Sequence, residues 1–140
     1  MNNTFNNIMI FLPAVIIDMI KEYTNKKYLV FTNKKNYILY HPLIRYSIQK
    51  YDSYIRDTII RDNYFVFEKI IKENSEKWLK TNDYIYKNII FKKYIYFTMY
   101  YCIENESLKC KKIIDKLFEE LGLSKNQHKK NLVKYIIWKK

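Results

Sequence analysis

The sequence predicts an all-α domain, and three properties of the chain lead to that prediction. Its 140 residues are 49% apolar, so the chain is long enough and apolar enough to bury a core. A single glycine and two prolines leave few positions for the tight turns that hairpins and barrels need. Apolar residues recur at helical spacing in most segments. We therefore expect short helical hairpins stacked in a single domain, residues 1–140.

The clearest helical pattern lies in residues 51–72, which read as two short helices joined by a tight turn. The first helix begins after a candidate cap at Asp52 or Ser53, and the second begins after Asn63. Two amphipathic helices cannot bury both apolar faces against each other alone, so neighbouring elements must cover them. The apolar residues at helical spacing are Ile55, Ile59, Ile60, Val66, Phe67, Ile70 and Ile71.

The preceding residues predict further helices. Pro13 suits a first helical turn, and Ile16, Met19, Ile20 and Tyr23 then form one stripe. Residues 28–40 fit either a strand or a helix, and we favour a helix because no second strand is evident. Pro42 is expected to open another short helix, with His41 before it as a cap or turn residue.

The second half of the chain continues this pattern. We expect a polar connector over residues 73–88, a long aromatic helix over 89–102, and a helix that Ser107 opens. Gly122 suits the left-handed position after that helix. Ser124 and Gln127 form a capping box for a last helix that extends to Lys140, with His128 on its surface.

The charge distribution suggests one candidate surface. The net charge is +12, and residues 84–140 carry 13 cations against 5 acids. A basic helix over residues 124–140 would suit nucleic acid, although lysines also cover solvated faces wherever AT-rich codons favour them. The candidate nucleic-acid-binding residues are Lys125, Lys129, Lys130, Lys134, Lys139 and Lys140.

The sequence gives little sign of catalysis. Cys102 and Cys110 lack zinc-ligand spacing and read as buried thiols of a reducing compartment. No phosphate-binding loop or nucleophile elbow is present, so we expect a protein without catalytic residues, cofactor or metal. The longest apolar run, residues 8–17, is too short to cross a membrane.

An internal repeat suggests how the helices stack. Residues 60–71 and 103–114 align without gaps at an offset of 43, and both end in two isoleucines. Through Ile103, Glu106, Lys111, Ile113 and Ile114, this unit resembles a divergent ankyrin repeat. The resemblance implies a solenoid-like stack over residues 51–121 that binds a protein target.

The start of the chain resembles an F-box over residues 12–45. The similarity lies in Leu12-Pro13, the apolar residues up to Ile20 and the segment Thr32-Asn33-Lys34. It implies that Leu12, Pro13, Ile16 and Ile20 dock a ubiquitin-ligase adaptor. The combination is similar to proteins of large cytoplasmic DNA viruses, which implies a viral interaction protein in the host cytoplasm. Nucleic-acid binding remains the alternative function.

Overall fold

The structure is a computed structural model that describes residues 12–130 and 132–134. The chain divides into two compact units with the boundary between Gln49 and Lys50, whereas we had expected one domain. Eight helices and three strands lie within the described residues. They are α1 (Ala14–Tyr23), α2 (Lys26–Leu29), α3 (Lys34–Arg45), α4 (Tyr51–Ile60), α5 (Tyr64–Lys80), β1 (Asn82–Tyr86), β2 (Ile89–Lys93), α6 (Tyr94–Glu104), α7 (Leu108–Glu120), α8 (Gln127–Lys130) and β3 (Leu132–Lys134).

The first unit contains α1 to α3. Asn33 begins α3 by accepting a hydrogen bond from the Asn36 N–H at 2.8 Å, so the segment that fitted two patterns is helical. Pro42 lies inside α3 rather than opening a helix of its own. His41 was expected at a cap or turn, but it is buried in α3 with its ring 4.6 Å from that of Tyr37.

The second unit is built from two helical pairs, α4–α5 and α6–α7. Helix α4 packs on α6, and α5 packs on α7. The expectation of a mostly helical fold is confirmed, whereas the three-stranded sheet departs from the all-α class that the sequence predicted. Its core is aromatic and aliphatic, and Phe67, Ile70, Phe97, Ile114 and Phe118 are fully buried there.

Three helices of this unit end in the same type of turn. After α4, α6 and α7 the chain enters the left-handed region at Asp62, Glu106 and Gly122, with φ of 47°, 54° and 65°. In each case the next N–H reaches back to the last full turn of the helix, as in a Schellman motif. These bonds are Asn63 N–Thr58 O at 3.0 Å, Ser107 N–Cys102 O at 2.9 Å and Leu123 N–Phe118 O at 2.8 Å.

The turns correct the register of the internal repeat. They equate Asp62 with Glu106 and Asn63 with Ser107, which is an offset of 44 rather than 43. At this offset the buried Val66 and Ile70 match the buried Cys110 and Ile114. The alignment at an offset of 43 matched the two isoleucine pairs by residue identity, and it differs by one position from the alignment that the turns define.

A β-hairpin stands where the sequence predicted a connector and the start of a long helix. Helix α5 extends to Lys80, and β1 then pairs antiparallel with β2, with Tyr84 opposite Phe91. A two-residue turn joins the strands, and Lys87 takes a positive φ of 52° in it. Because this turn contains no glycine, it lacks the usual sequence signal of a hairpin.

The C-terminal segment also differs from the prediction. Within the described residues the predicted basic helix comprises only four residues, Gln127–Lys130, and β3 follows it. Strand β3 pairs with the free side of β2, with Val133 opposite Ile90, and so satisfies backbone groups that an edge strand would leave open. Residues 135–140, including the end of the predicted helix, lie outside the described residues.

Three hydrogen bonds join the helical pairs at their turns. The Ser107 hydroxyl donates to the Ile59 carbonyl oxygen at 2.5 Å instead of capping its own helix. The Asp62 carboxylate supplies the missing cap, because it accepts the N–H groups of Lys109 and Cys110 at 3.2 and 2.8 Å. The first turn of α7 is thus completed by the preceding pair.

Candidate interaction surfaces

Helix α1 exposes a continuous apolar face. None of its ten residues is buried. Ile16, Met19, Ile20 and Tyr23 are 43, 51, 44 and 85% exposed. They line an open groove of about 650 Å³ together with Thr24. A helix of ten residues is marginal on its own in water, and an uncovered apolar stripe of this kind is typical of a docking surface.

The structure brings together two of the four residues proposed for the F-box-like face. Ile16 and Ile20 lie in the groove, whereas Leu12 is only partly exposed before the helix, and Pro13 is the exposed N-cap residue. Met19 and Tyr23 were recognised as part of the stripe but not as part of the binding face. Their exposure adds them to the surface.

The cations proposed for nucleic acid do not form one helical row. Lys125 precedes α8, and its ammonium lies 3.5 Å from the Glu119 carboxylate, so this candidate cation has an acidic partner. Lys129 is exposed in α8, Lys130 ends that helix, and Lys134 ends β3. Lys139 and Lys140 lie outside the described residues.

A polar cluster that the sequence did not reveal fixes the hairpin to α4. Asp52 lies in the first turn of α4, where its carboxylate accepts the Tyr84 hydroxyl at 2.7 Å and the hydroxyl of Tyr94. Arg56 pairs with the same carboxylate and approaches the Tyr84 oxygen at 3.3 Å. The sequence separations of 32 and 42 residues explain why no local pattern indicated this cluster.

The electrostatics of this cluster keep its two tyrosines protonated. Burial, and then the hydrogen bond to Asp52, raises the pKa of Tyr94 far above that of a free phenol. The same causes in the same order raise the pKa of Tyr84. Both hydroxyls therefore stay protonated at neutral pH and donate hydrogen bonds to Asp52.

The histidine of α8 is part of the packing rather than of the surface. His128 is buried, and its Nδ1 lies 3.1 Å from the Lys125 carbonyl oxygen. Burial lowers the pKa of His128 below the usual value, and the carbonyl contact opposes that shift. The prediction of a surface histidine was therefore wrong, because α8 turns this residue inward.

The cysteines are buried, as predicted. Cys102 and Cys110 lie in α6 and α7 as free thiols. Burial raises the pKa of both thiols, so neither is a thiolate at neutral pH. Both cysteines therefore pack as small apolar residues.

The described residues contain no group of three or more histidine, cysteine or acidic side chains placed to hold a metal ion. Over the same residues, no helix combines the length and apolar character needed to span a bilayer. No family model matches this chain, and neither a curated protein nor a solved structure matches it.

Proposed function

We propose that this protein is a non-enzymatic protein-interaction module that docks one partner through α1 and selects a target through its stacked helical pairs. The exposed apolar face of α1 carries the proposal. Four large apolar side chains at helical spacing lie in the open there, and an interaction with a partner would remove them from water.

The finer proposal is that the partner of α1 is a ubiquitin-ligase adaptor and that the protein acts in the host cytoplasm of a large DNA virus. It rests on the F-box-like residues Leu12, Pro13, Ile16 and Ile20. Two of these lie in the α1 groove.

An ankyrin-like or solenoid-like origin of the second unit is part of the same proposal. Its support is the stacking of α4 on α6 and α5 on α7, with a β-hairpin between the pairs. Repeats of this type join two helices with a β-turn element and bury their apolar faces by stacking. Such stacks present extended surfaces to protein targets.

Binding to a purified cullin-ligase adaptor tests the docking proposal directly. We expect the full chain to bind the adaptor, and Ile16→Asp or Ile20→Asp to weaken that binding at least tenfold by placing a charge in the groove. Ala14→Asp is the matched control, because it adds the same charge to an exposed position on the opposite side of α1. Each variant must keep the thermal transition of the parent.

Affinity capture from eukaryotic cytosol separates the two levels of the proposal. Capture of ligase subunits that is lost in Ile16→Asp supports the adaptor. Capture of other proteins with the same dependence on Ile16 rejects the adaptor and leaves α1 as a docking face for a different partner. If the set of captured proteins is the same for the parent and for Ile16→Asp, the docking function of α1 is wrong.

Nucleic-acid binding is the weaker alternative proposal. It rests on the net charge of +12. Two observations weaken the case for nucleic-acid binding: Lys125 pairs with Glu119, and α8 is only four residues long. The test is the salt dependence of DNA binding, measured as the slope of log affinity against log salt concentration. A slope that is smaller by about one in Lys129→Glu than in the parent would support nucleic-acid binding.

A further inference from the structure

The edge of the second unit carries large apolar side chains at equivalent positions of both helical pairs. Tyr64 and Leu108 are the first residues of α5 and α7, and they correspond at the offset of 44 defined by the turns. Tyr64 is 43% exposed and Leu108 is 66% exposed. We call the surface formed by Tyr64, Leu108, Lys109 and Lys112 the turn edge.

Tyr64, Lys109 and Lys112 are neighbours in space. The Lys109 ammonium lies 5.5 Å from the centre of the Tyr64 ring, which is within the range of a cation–π contact. Tyr64, Lys109 and Lys112 line a hollow of about 330 Å³. The hollow therefore has an aromatic wall from one helical pair and two cations from the other.

The charges of the turn edge differ from those of the rest of α7. Lys111 pairs with Asp115 at 2.7 Å, and Lys116 lies 3.9 Å from Glu120. Lys112 has Asp115 three positions further along, but that carboxylate pairs with Lys111. Four positions after Lys109 and Lys112 stand Ile113 and Lys116, which are not acids.

The Asp62 carboxylate of the preceding pair lies close enough to Lys109 for the lysine charge to help lower the pKa of Asp62. The Asp62 carboxylate binds two backbone N–H groups of α7, those of Lys109 and Cys110. The exposed side chains of the turn edge therefore combine positive charge with apolar area.

We propose that the turn edge binds an acidic peptide segment of a protein target. A carboxylate of the segment lies between the ammonium groups of Lys109 and Lys112, and an adjacent apolar side chain packs on Tyr64 and Leu108. Two cations beside exposed apolar area suit a peptide better than a duplex, whose binding draws on a longer row of phosphate contacts. This proposal deepens the proposed function, on which it rests, by giving the chemistry of the target.

Selection of a random 12-residue peptide library displayed on phage against the full chain provides the test. We expect the enriched peptides to share acidic residues next to an aliphatic or aromatic residue. A synthetic peptide of that consensus should bind at least tenfold more weakly to Lys109→Glu with Lys112→Glu, and also more weakly to Leu108→Ser. Lys116→Glu is the matched control on the same helix and should retain most of the affinity.

The proposal is overturned by a selection that enriches no peptide, by a consensus without acids, or by binding that is unchanged in the double variant. Equal affinity for a shuffled peptide or for a 20-base oligonucleotide would reduce the site to a general attraction for anions and would also overturn it. The double variant must keep the thermal transition of the parent.

The two proposals fail separately. Ile16→Asp should leave peptide binding intact, and the lysine variants should leave adaptor binding intact. If the peptide binds but no partner of α1 is found, the docking role of α1 is wrong. If a partner of α1 is found but no peptide binds the turn edge, the turn edge does not select the target.

Discussion

Asp62 caps a helix that begins 46 positions later in the chain: its Oδ1 accepts the backbone N–H of Cys110 at 2.8 Å. Its Oδ2 accepts the N–H of Lys109 at 3.2 Å. Ser107, the residue at the N-cap position, has turned its hydroxyl to the Ile59 carbonyl oxygen. One helical pair therefore completes the backbone hydrogen bonding of the other.

The first prediction concerns this cap. Asp62→Ala should lower the free energy of unfolding by about 1–2 kcal/mol, because the first turn of α7 loses its side-chain acceptor. Urea titration followed by circular dichroism measures the change. Asp57→Ala is the control, since it removes only an exposed ion pair with Arg61 and should cost less than about 1 kcal/mol. Equal losses in the two variants would contradict the assignment of the cap.

The second prediction concerns the pH dependence of the same cap. Burial alone would raise the pKa of Asp62, but the N–H groups of Cys110 and Lys109 outweigh it and lower the pKa below its usual value. The stabilisation is therefore complete above the unfolded pKa of about 3.9 and is lost as the pH falls toward the folded pKa.

Comparison of the parent chain with Asp62→Asn isolates this dependence. The difference in unfolding free energy between the two proteins should be constant from pH 7 to about pH 5 and should shrink below about pH 4. Urea titrations at four or five pH values measure it. A difference that does not vary with pH would show that the carboxylate charge contributes nothing to the cap.

The third prediction concerns the left-handed turns. Glu106 holds a φ of 54°, a conformation that costs a side chain roughly 1 kcal/mol and costs glycine almost nothing. Glu106→Gly should therefore raise the stability by up to about 1 kcal/mol. Lys112→Gly is the control, because glycine inside the exposed face of a helix should lower it by about the same amount. A loss of stability in both variants would contradict the turn conformation.

The fourth prediction tests the register of the two helical pairs. Ile114 is fully buried, whereas Ile113 is only partly buried. Ile114→Ala should cost about 2–5 kcal/mol, and Ile113→Ala should cost clearly less. The offset of 43 would instead equate both with the buried Ile70 and Ile71 and would make the two losses similar. Melting or urea titration of both variants distinguishes the two registers.

The fifth prediction concerns the Asp52 cluster. Tyr94→Phe removes one donor to Asp52 while keeping the buried ring, and it should cost about 1–3 kcal/mol because the acceptor is charged. Tyr46→Phe is the control, since Tyr46 is 91% exposed and the change should be close to neutral. A neutral result for Tyr94→Phe would mean that water replaces the phenol at no cost.

Local patterns predicted the helices of the second unit well. Apolar spacing located α4, α5 and α7, and Asn63 and Gly122 hold the cap and turn positions expected of them. The hairpin was missed because Lys87 adopts a positive φ without being glycine. The repeat register was one residue wrong because two isoleucines can align by identity while the preceding turns determine the real equivalence.

The candidate surfaces were only partly accessible to sequence reasoning. The sequence showed the apolar stripe on α1 but not that the stripe is exposed, because a buried helix has apolar residues at the same spacing. The Asp52 cluster and the turn edge depend on residues that meet only after the helical pairs stack. His128 was placed on the surface because a position in α8 was assigned to a longer helix.

The separation of these contacts along the chain also has a consequence for how the unit forms. Asp62 and Cys110 are 48 positions apart, and Asp52 and Tyr94 are 42 apart. Closing such long loops costs entropy that is repaid only when the distant partner arrives, which slows folding. The α4–α5 pair therefore gains its last hydrogen bonds after α7 has been synthesised. These hydrogen bonds need both helical pairs, so neither pair completes its native hydrogen bonding alone.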